Sequence, residues 1–305
     1  MAYHWDHFIQ SSYHFVQMNA HPPVDRLSVL LERFRVRVKF FHSGVLCGLQ
    51  KYDCSSGHGF LHVLRRGRME VTHYGVAGIP KKLILDEPTV LFYPRPLTHH
   101  FHNPPQEGSD FTCAALTFEG GAGNPIARSL PAFIRLPLAA VEGLEPALKL
   151  LFAETDRVRC GQRVLADRLF EVVLIQLLRW LLDHPEEAGI QPGLITGLSD
   201  SRLARALVMF HEAPGETWTL ERLADCAGMS RTSFATVFKQ VMGQTPADYV
   251  MSCRITLAQM GLREGRPIKL LAEQLGYANP PALSRAFTAK MGVSPREWLS
   301  KGQGY

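Results

Sequence analysis

The 305-residue chain lacks the patterns that most directly announce catalysis or membrane insertion. It has no Gly-x-Ser-x-Gly nucleophile turn, no phosphate loop and no dinucleotide fingerprint, which removes those routes to acyl, phosphoryl and hydride chemistry. No apolar run reaches the roughly 20 residues that span a bilayer; the best candidate, 172–182, is interrupted by Gln176 and Arg179. Met1-Ala2-Tyr3-His4-Trp5-Asp6 has no basic-then-apolar signal pattern. None of the six cysteines stands in a Cys-x-x-Cys pair, so reduced thiols and a cytoplasmic location are expected. What is present is an ordinary globular composition, 46% apolar and 20% charged. The length exceeds one comfortable core, so two domains are expected.

Residues 219–298 carry the same pattern twice. Ala224 and Ala272, like Gly228 and Gly276, are 48 apart, whereas Phe238 and Phe287, like Pro246 and Pro295, are 49 apart. One residue is therefore inserted in the second turn, where a loop tolerates it. Each copy reads as a short amphipathic helix (Leu220, Leu223 and Ala224; Ile268, Leu271, Ala272 and Leu275) ended by a glycine that accepts the left-handed conformation. A second helix follows, pinned by Phe234 and Phe238 or by Leu283 and Phe287. Its outer face has no acid and closes on Thr245-Pro246 or Ser294-Pro295. Two such helices on a helical support have the geometry that places a helix in a DNA major groove. From residue 199 on there are 13 Lys or Arg against 9 Asp or Glu, a modest excess that suits sequence-reading DNA binding.

With Leu-Ala-Asp-Cys-Ala-Gly-Met-Ser in the first copy, and Leu-Ala-Glu-Gln-Leu-Gly-Tyr, Leu-Ser-Arg-Ala-Phe and Gly-Val-Ser-Pro-Arg-Glu-Trp in the second, this stretch resembles the DNA-binding domain of the AraC/XylS family of bacterial transcription regulators. The resemblance implies base contacts from Arg231, Thr232, Ala235 and Thr236 of the first recognition helix and from Pro280, Pro281, Ser284 and Arg285 of the second. Lys239 and Lys290, at the far helix ends, are expected on phosphates. Arg285 is the strongest single candidate, because a guanidinium can take a guanine edge bidentately. The helix over 246–263 joins the copies and spans about 27 Å, short of the roughly 34 Å between successive major-groove faces.

Ahead of this, 35–120 reads as short strands at 36–41, 45–52, 59–65, 68–74, 81–85, 90–93, 99–103 and 111–118, broken by Gly, Pro, Asn or Asp, which predicts a barrel or jelly roll. Pro94-Arg95-Pro96-Leu97-Thr98-His99-His100-Phe101-His102-Asn103 resembles the second cupin motif with Pro96 in place of Gly, and Phe60-Leu61-His62-Val63-Leu64-Arg65-Arg66-Gly67 resembles a decayed first motif, with Glu70 a candidate for its acid. The expected fold is therefore α+β in two domains: a lead-in and short helix over 1–34, a cupin-like sensor over 35–120, a helical connector over 121–198 that offers a homodimer face, and an all-α double helix-turn-helix domain over 199–305. Helices are expected over 24–34, 140–156 and 161–183, with Leu165, Leu169, Val172, Val173, Gln176, Leu177, Trp180 and Leu181 on the apolar face of the last, and a linker over 184–193.

Three sensor chemistries follow. A small molecule would be lined by His62, Leu64, Tyr93, His99 and Phe101. A transition metal would use His62 and His99, drawing on a histidine-rich set that includes His58, His100 and His102. Thiol redox sensing would use Cys47 and Cys54, activated by Arg65 or Lys51. A metal-dependent cupin enzyme fused to a DNA-binding module, and a ligand-free architectural protein, are the competing classes. The regulator reading implies double-stranded DNA, RNA polymerase and a small or redox effector as partners, most simply for an activator, and no membrane.

Overall fold

The computed structural model describes residues 24–302, apart from 75 and 77. The expected lead-in over 1–24 lies almost wholly outside the described residues. The helix expected over 24–34 shortens to α1 (Ser28–Arg33), because the Asp25 carboxylate accepts the backbone N–H groups of Leu27 and Ser28 and turns the chain there first.

Nine strands follow among the described residues: β1 (Val36–Leu46), β2 (Gly48–Tyr52), β3 (Gly59–Arg66), β4 (Met69–His73), β5 (Lys82–Leu85), β6 (Thr89–Tyr93), β7 (His99–Asn103), β8 (Ser109–Phe118) and β9 (Ile134–Pro137). They form two antiparallel sheets, ordered β1-β8-β3-β6-β9 and β2-β7-β4-β5. The break expected at Gly44 is displaced to Cys47: β1 runs through Gly44 because β8 pairs with it from Val36 to Leu46, with a bulge at Phe40–His42. β9 was not expected, since 121–198 reads as helical; it closes the sheet beyond β6, with Phe92 opposite Ile134.

Strand alternation sorts the side chains into two cores. Phe60, Leu64, Leu91, Tyr93, Phe101, Phe111 and Cys113 fill the space between the sheets. Leu61, Val63, Val90, Phe92 and Ala114 point the other way, into a core shared with the helices. There α2 (Pro125–Ser129) and α3 (Leu144–Thr155) precede the long α4 (Gln162–Asp183). The buried stripe of α4 is Ala166, Phe170, Val173, Leu174, Leu177 and Leu181. Val173, Leu177, Trp180 and Leu181 of the expected stripe are buried, whereas Leu165 and Val172 face outward.

The expected linker over 184–193 is not a loose tether. Ile190 is buried, and α5 (Leu194–Ser199) buries Leu194, Ile195 and Leu198. One core therefore continues from Leu27 through these residues to α6 (Ser201–Glu212), α7 (Leu220–Ala227) and α8 (Arg231–Met242). After the connecting helix α9 (Pro246–Arg263) come α10 (Ile268–Gln274), α11 (Pro280–Met291) and α12 (Pro295–Gly302). Their core, built on Ile255, Leu271, Leu283 and Phe287, is separate. No described helix is long and apolar enough to cross a membrane.

Candidate nucleic-acid interface and sensor core

Each helix-turn-helix is built from local chemistry that stops one helix and starts the next. In the first, Gly228 takes φ +65° and ends α7, and the Ser230 hydroxyl accepts the Ser233 N–H to begin α8. In the second, Gly276 at φ +73° makes the turn, and the Asn279 side chain accepts the Ala282 N–H ahead of Pro280 and Pro281. Phe234, Phe238, Leu283 and Phe287 are buried and pin α8 and α11 from behind.

The outward faces are unequal. In α8, Arg231, Thr232, Thr236 and Lys239 are exposed and Ala235 is half-buried. The Arg231 guanidinium is held 2.6 Å from the Glu221 carboxylate of α7, and the Thr236 hydroxyl donates back to the Thr232 carbonyl at 2.9 Å. Ala235, Thr236 and Lys239 also border an apolar groove of about 790 Å³ with Trp218, Leu220 and Val250. In α11, Pro281, Arg285 and Lys290 are exposed, while Pro280 and Ser284 are half-buried. Arg285 has no ion pair among the described residues. Sequence reasoning passed over Gln240 and Thr288, which are exposed one turn beyond Thr236 and Arg285; their spacings of four and three were the available signal.

Between the sheets, the five residues expected to line a ligand pocket do meet. His62, Leu64, Tyr93, His99 and Phe101 are each at most 1% exposed. They meet by packing on one another: Tyr93 stacks on His99 with centroids 4.0 Å apart, Tyr52 covers the other rings, and Phe101 lies 4.8 Å from His62. The space is filled by rings.

Their polar atoms form a directed chain. Burial pushes the His62 imidazole well below its usual pKa and takes His99 down to about 3, so both are neutral at pH 7. His99 Nδ1 stands 2.7 Å from the Leu97 carbonyl and must donate to it. His99 Nε2 therefore accepts from His62 Nε2 at 3.1 Å, and His62 Nδ1 accepts from the Cys113 thiol at 2.9 Å. Burial raises the Cys113 thiol well above its usual pKa, in keeping with its donor role. Nearby, His73 donates to the Pro80 carbonyl and accepts from the Tyr93 hydroxyl.

This chemistry does not fit a metal centre. Both imidazole lone pairs are engaged, and no group of three metal-ligating residues converges among the described residues. Glu70 lies on the outside of β4, where it pairs with Lys82 at 2.7 Å. His58 and His102 are exposed, and His100 packs on Tyr74 instead. For the thiol expectation, the structure bears only on the activation by Arg65. Cys47 and Cys54 are exposed and unbridged, and Arg65 is committed to Asp156 at 2.6 Å and to the Phe152 ring.

The open space lies elsewhere. A cleft of about 1000 Å³ is lined by Arg33, Arg35 and Arg37 on the barrel side and by Glu212, Gly261, Arg266 and Gln274 on the helical side, with Arg33 donating to the Glu212 carbonyl at 3.2 Å where the two sides meet.

Residues 25–183 match the cupin family, and residues 223–301 match a helix-turn-helix domain family. A putative AraC-like transcription regulator of Streptomyces antibioticus is 33% identical over 186 residues, covering 60% of this chain and 61% of that protein. The HTH-type transcriptional regulator AlkR of Acinetobacter baylyi is 31% identical over 181 residues, 58% of each chain. The RCS-specific HTH-type transcriptional activator RclR of Escherichia coli is 28% identical over 218 residues, 70% of this chain and 75% of that one. The chain thus spans about three fifths of the length of the first two relatives.

Proposed function

Because the chain belongs to the cupin family through residues 25–183 and joins to it an AraC-type helix-turn-helix domain, we propose that it is a sequence-specific DNA-binding transcription regulator that responds to a small signal. The observation that carries this reading is the pair of outward recognition helices, α8 and α11. Each is free of carboxylates, and each is fixed from behind by buried apolar side chains, Phe234, Phe238 and Met242 in α8 and Leu283 and Phe287 in α11. Arg231, Thr232, Ala235 and Thr236 face one major groove, and Pro280, Pro281, Ser284 and Arg285 the next. Lys239 and Lys290 meet phosphates. The relatives carry the names of regulators, and the barrel histidines lack a third ligand, so the enzyme alternative is set aside.

The signal is a small molecule. In the cleft it would touch α1 and β1 on one side and α9 and α10 on the other, so occupancy would bias how the sensor holds the DNA-reading half. Leu165 and Val172, 47% and 43% exposed on α4, are the homodimer face. RNA polymerase is the protein partner and the cytoplasm the place of action.

The test is selection from a randomised duplex library by the purified full-length protein. Two enriched blocks, about 10 base pairs between centres, are expected. Recovery of unenriched library sinks the reading.

A further inference from the structure

We propose that Arg254 is a specificity-determining residue that sets the distance between the two DNA subsites by pinning one helix-turn-helix to the other. The inference rests on the DNA-binding reading above.

Arg254 sits in the middle of α9, between the two units. Its Nε donates to the Pro214 carbonyl at 2.8 Å and its Nη2 to the Glu216 carbonyl at 2.6 Å. Both acceptors belong to the loop that leads from α6 into α7, the first helix of the first unit. The same guanidinium lies 5.8 Å from the Tyr277 ring, in the turn between α10 and α11 of the second unit. One side chain therefore holds a loop of each unit.

The backbones cross at this point with no space to spare. A methyl group on Gly215 would overlap the Gln274 carbonyl, and one on Gly276 would overlap the Gly215 carbonyl and press on Arg254 Nη2. The approach to α7 and the turn before α11 are thus in direct contact, and the guanidinium closes that contact from the α9 side.

The duplicated counterpart shows what is particular to Arg254. Arg205 lies 49 residues earlier, on α6, the same offset that relates Phe238 to Phe287. Its guanidinium also stands beside the turn glycine, here Gly228. But its donors go to the Cys226 and Ala227 carbonyls at the end of α7, within its own unit. The first arginine closes a turn, whereas the second bridges units. A planar fork with donors fixed in direction can hold two carbonyls at once, which an ammonium on a flexible stem does poorly.

One inserted base pair turns the second subsite by roughly 35° and moves it by about 3.4 Å. A protein whose units are locked together must penalise that step, and one whose units are loosened penalises it less.

The experiment uses the full-length protein and the duplex enriched from the randomised library, with one base pair added or removed between its two blocks. Wild type is expected to prefer the native spacing about tenfold, comparable to the cost of a mismatched base pair. Arg254→Lys and Arg254→Ala should compress that ratio to about threefold, with circular dichroism unchanged for the Lys variant. Arg205→Ala should lower the melting temperature while leaving the spacing ratio as in wild type. A wild-type ratio in folded Arg254→Lys, or equal compression in Arg205→Ala, overturns the proposal. If wild type enriches no sequence, the DNA-binding reading falls and the proposal with it. A wild type that binds but is indifferent to spacing overturns the proposal alone.

Discussion

Phe234 and Phe238 of the first helix-turn-helix belong to a core that runs without interruption back to Leu27, whereas Leu283 and Phe287 of the second belong to a cluster of eight buried residues of its own. The outward faces differ in parallel, since Arg231 is tied to Glu221 and Arg285 is not tied to any described carboxylate. A duplicated motif has therefore kept its plan and diverged in its attachments. The first copy is part of the body that carries the barrel. The second is held by α9 and by the crossing at Gly215 and Gly276. A small independent core makes the second copy the region most able to open by itself.

The largest expected effects test that difference in attachment. Phe234→Ala and Phe287→Ala should each cost about 3–5 kcal/mol. For Phe234→Ala the loss should appear as lower hydrogen-exchange protection from the barrel through α8. For Phe287→Ala it should be confined to α10–α12. Equal loss of protection in the barrel for both variants would break the distinction.

Acid should act next and on one side only. His211 is buried beneath the first copy, bonded to the Tyr249 hydroxyl at 2.6 Å, and burial lowers its pKa to about 3. His62 and His99 are lowered in the barrel for the same reason. These groups are neutral in the folded state and protonate in the unfolded chain near pH 6.5. The unfolded state thus binds more protons, and the penalty, absent above about pH 6.5, grows as pH falls toward 3, by up to about 1.4 kcal/mol per pH unit for each histidine. The second copy's core contains no histidine. Between pH 6.5 and 4 the main body should lose stability faster than α10–α12, read by residue-resolved exchange. A uniform loss would count against the assignment.

On DNA, Arg285→Ala should remove about 1–3 kcal/mol of discrimination at one base pair of the second subsite, and Arg231→Ala less at the first, because Arg231 starts from an ion pair. Binding across a library randomised at each position measures both; unchanged discrimination at every position in Arg285→Ala refutes its role. The smallest effect is expected for Glu221→Ala. The pair it forms is more than half exposed, so freeing Arg231 should tighten DNA binding only slightly. Weaker binding would show that Glu221 presents Arg231 to the base rather than withholding it.

The helical half was the more readable from sequence. The helix expected over 246–263 is α9 residue for residue, because glycine turns, hydroxyl caps and repeated apolar spacings are local signals. In the barrel, strands were found within one or two residues wherever alternation was clear, as in β7. β9 was missed because four residues ending in Pro137 carry too little alternation to mark a strand, and α5 because Gly193 and Gly197 suggest loop until packing is known. In the candidate sites, the meeting of His62, Tyr93, His99 and Phe101 was foreseeable from strand parity. The Arg231–Glu221 pair, the Cys113 thiol behind His62 and the two carbonyls on Arg254 were not. Each depends on side chains brought together by tertiary structure, and no local pattern encodes that. The candidacy of Glu70 for the motif acid could have been decided from sequence, because its neighbours Met69 and Val71 already claim the inner face.

The stacked rings between the sheets have a kinetic consequence. Any guest that enters there must wait for Tyr52, Tyr93 or Phe101 to vacate its volume, so entry is an exchange reaction with a closed resting state. Its apparent affinity is the intrinsic one discounted by the open fraction, and its association rate levels off with concentration at the rate of ring departure. A guest of the cleft beside Arg33 and Arg35 meets no such gate, and its rate should keep rising with concentration. The shape of one stopped-flow curve therefore tells which space a signal enters.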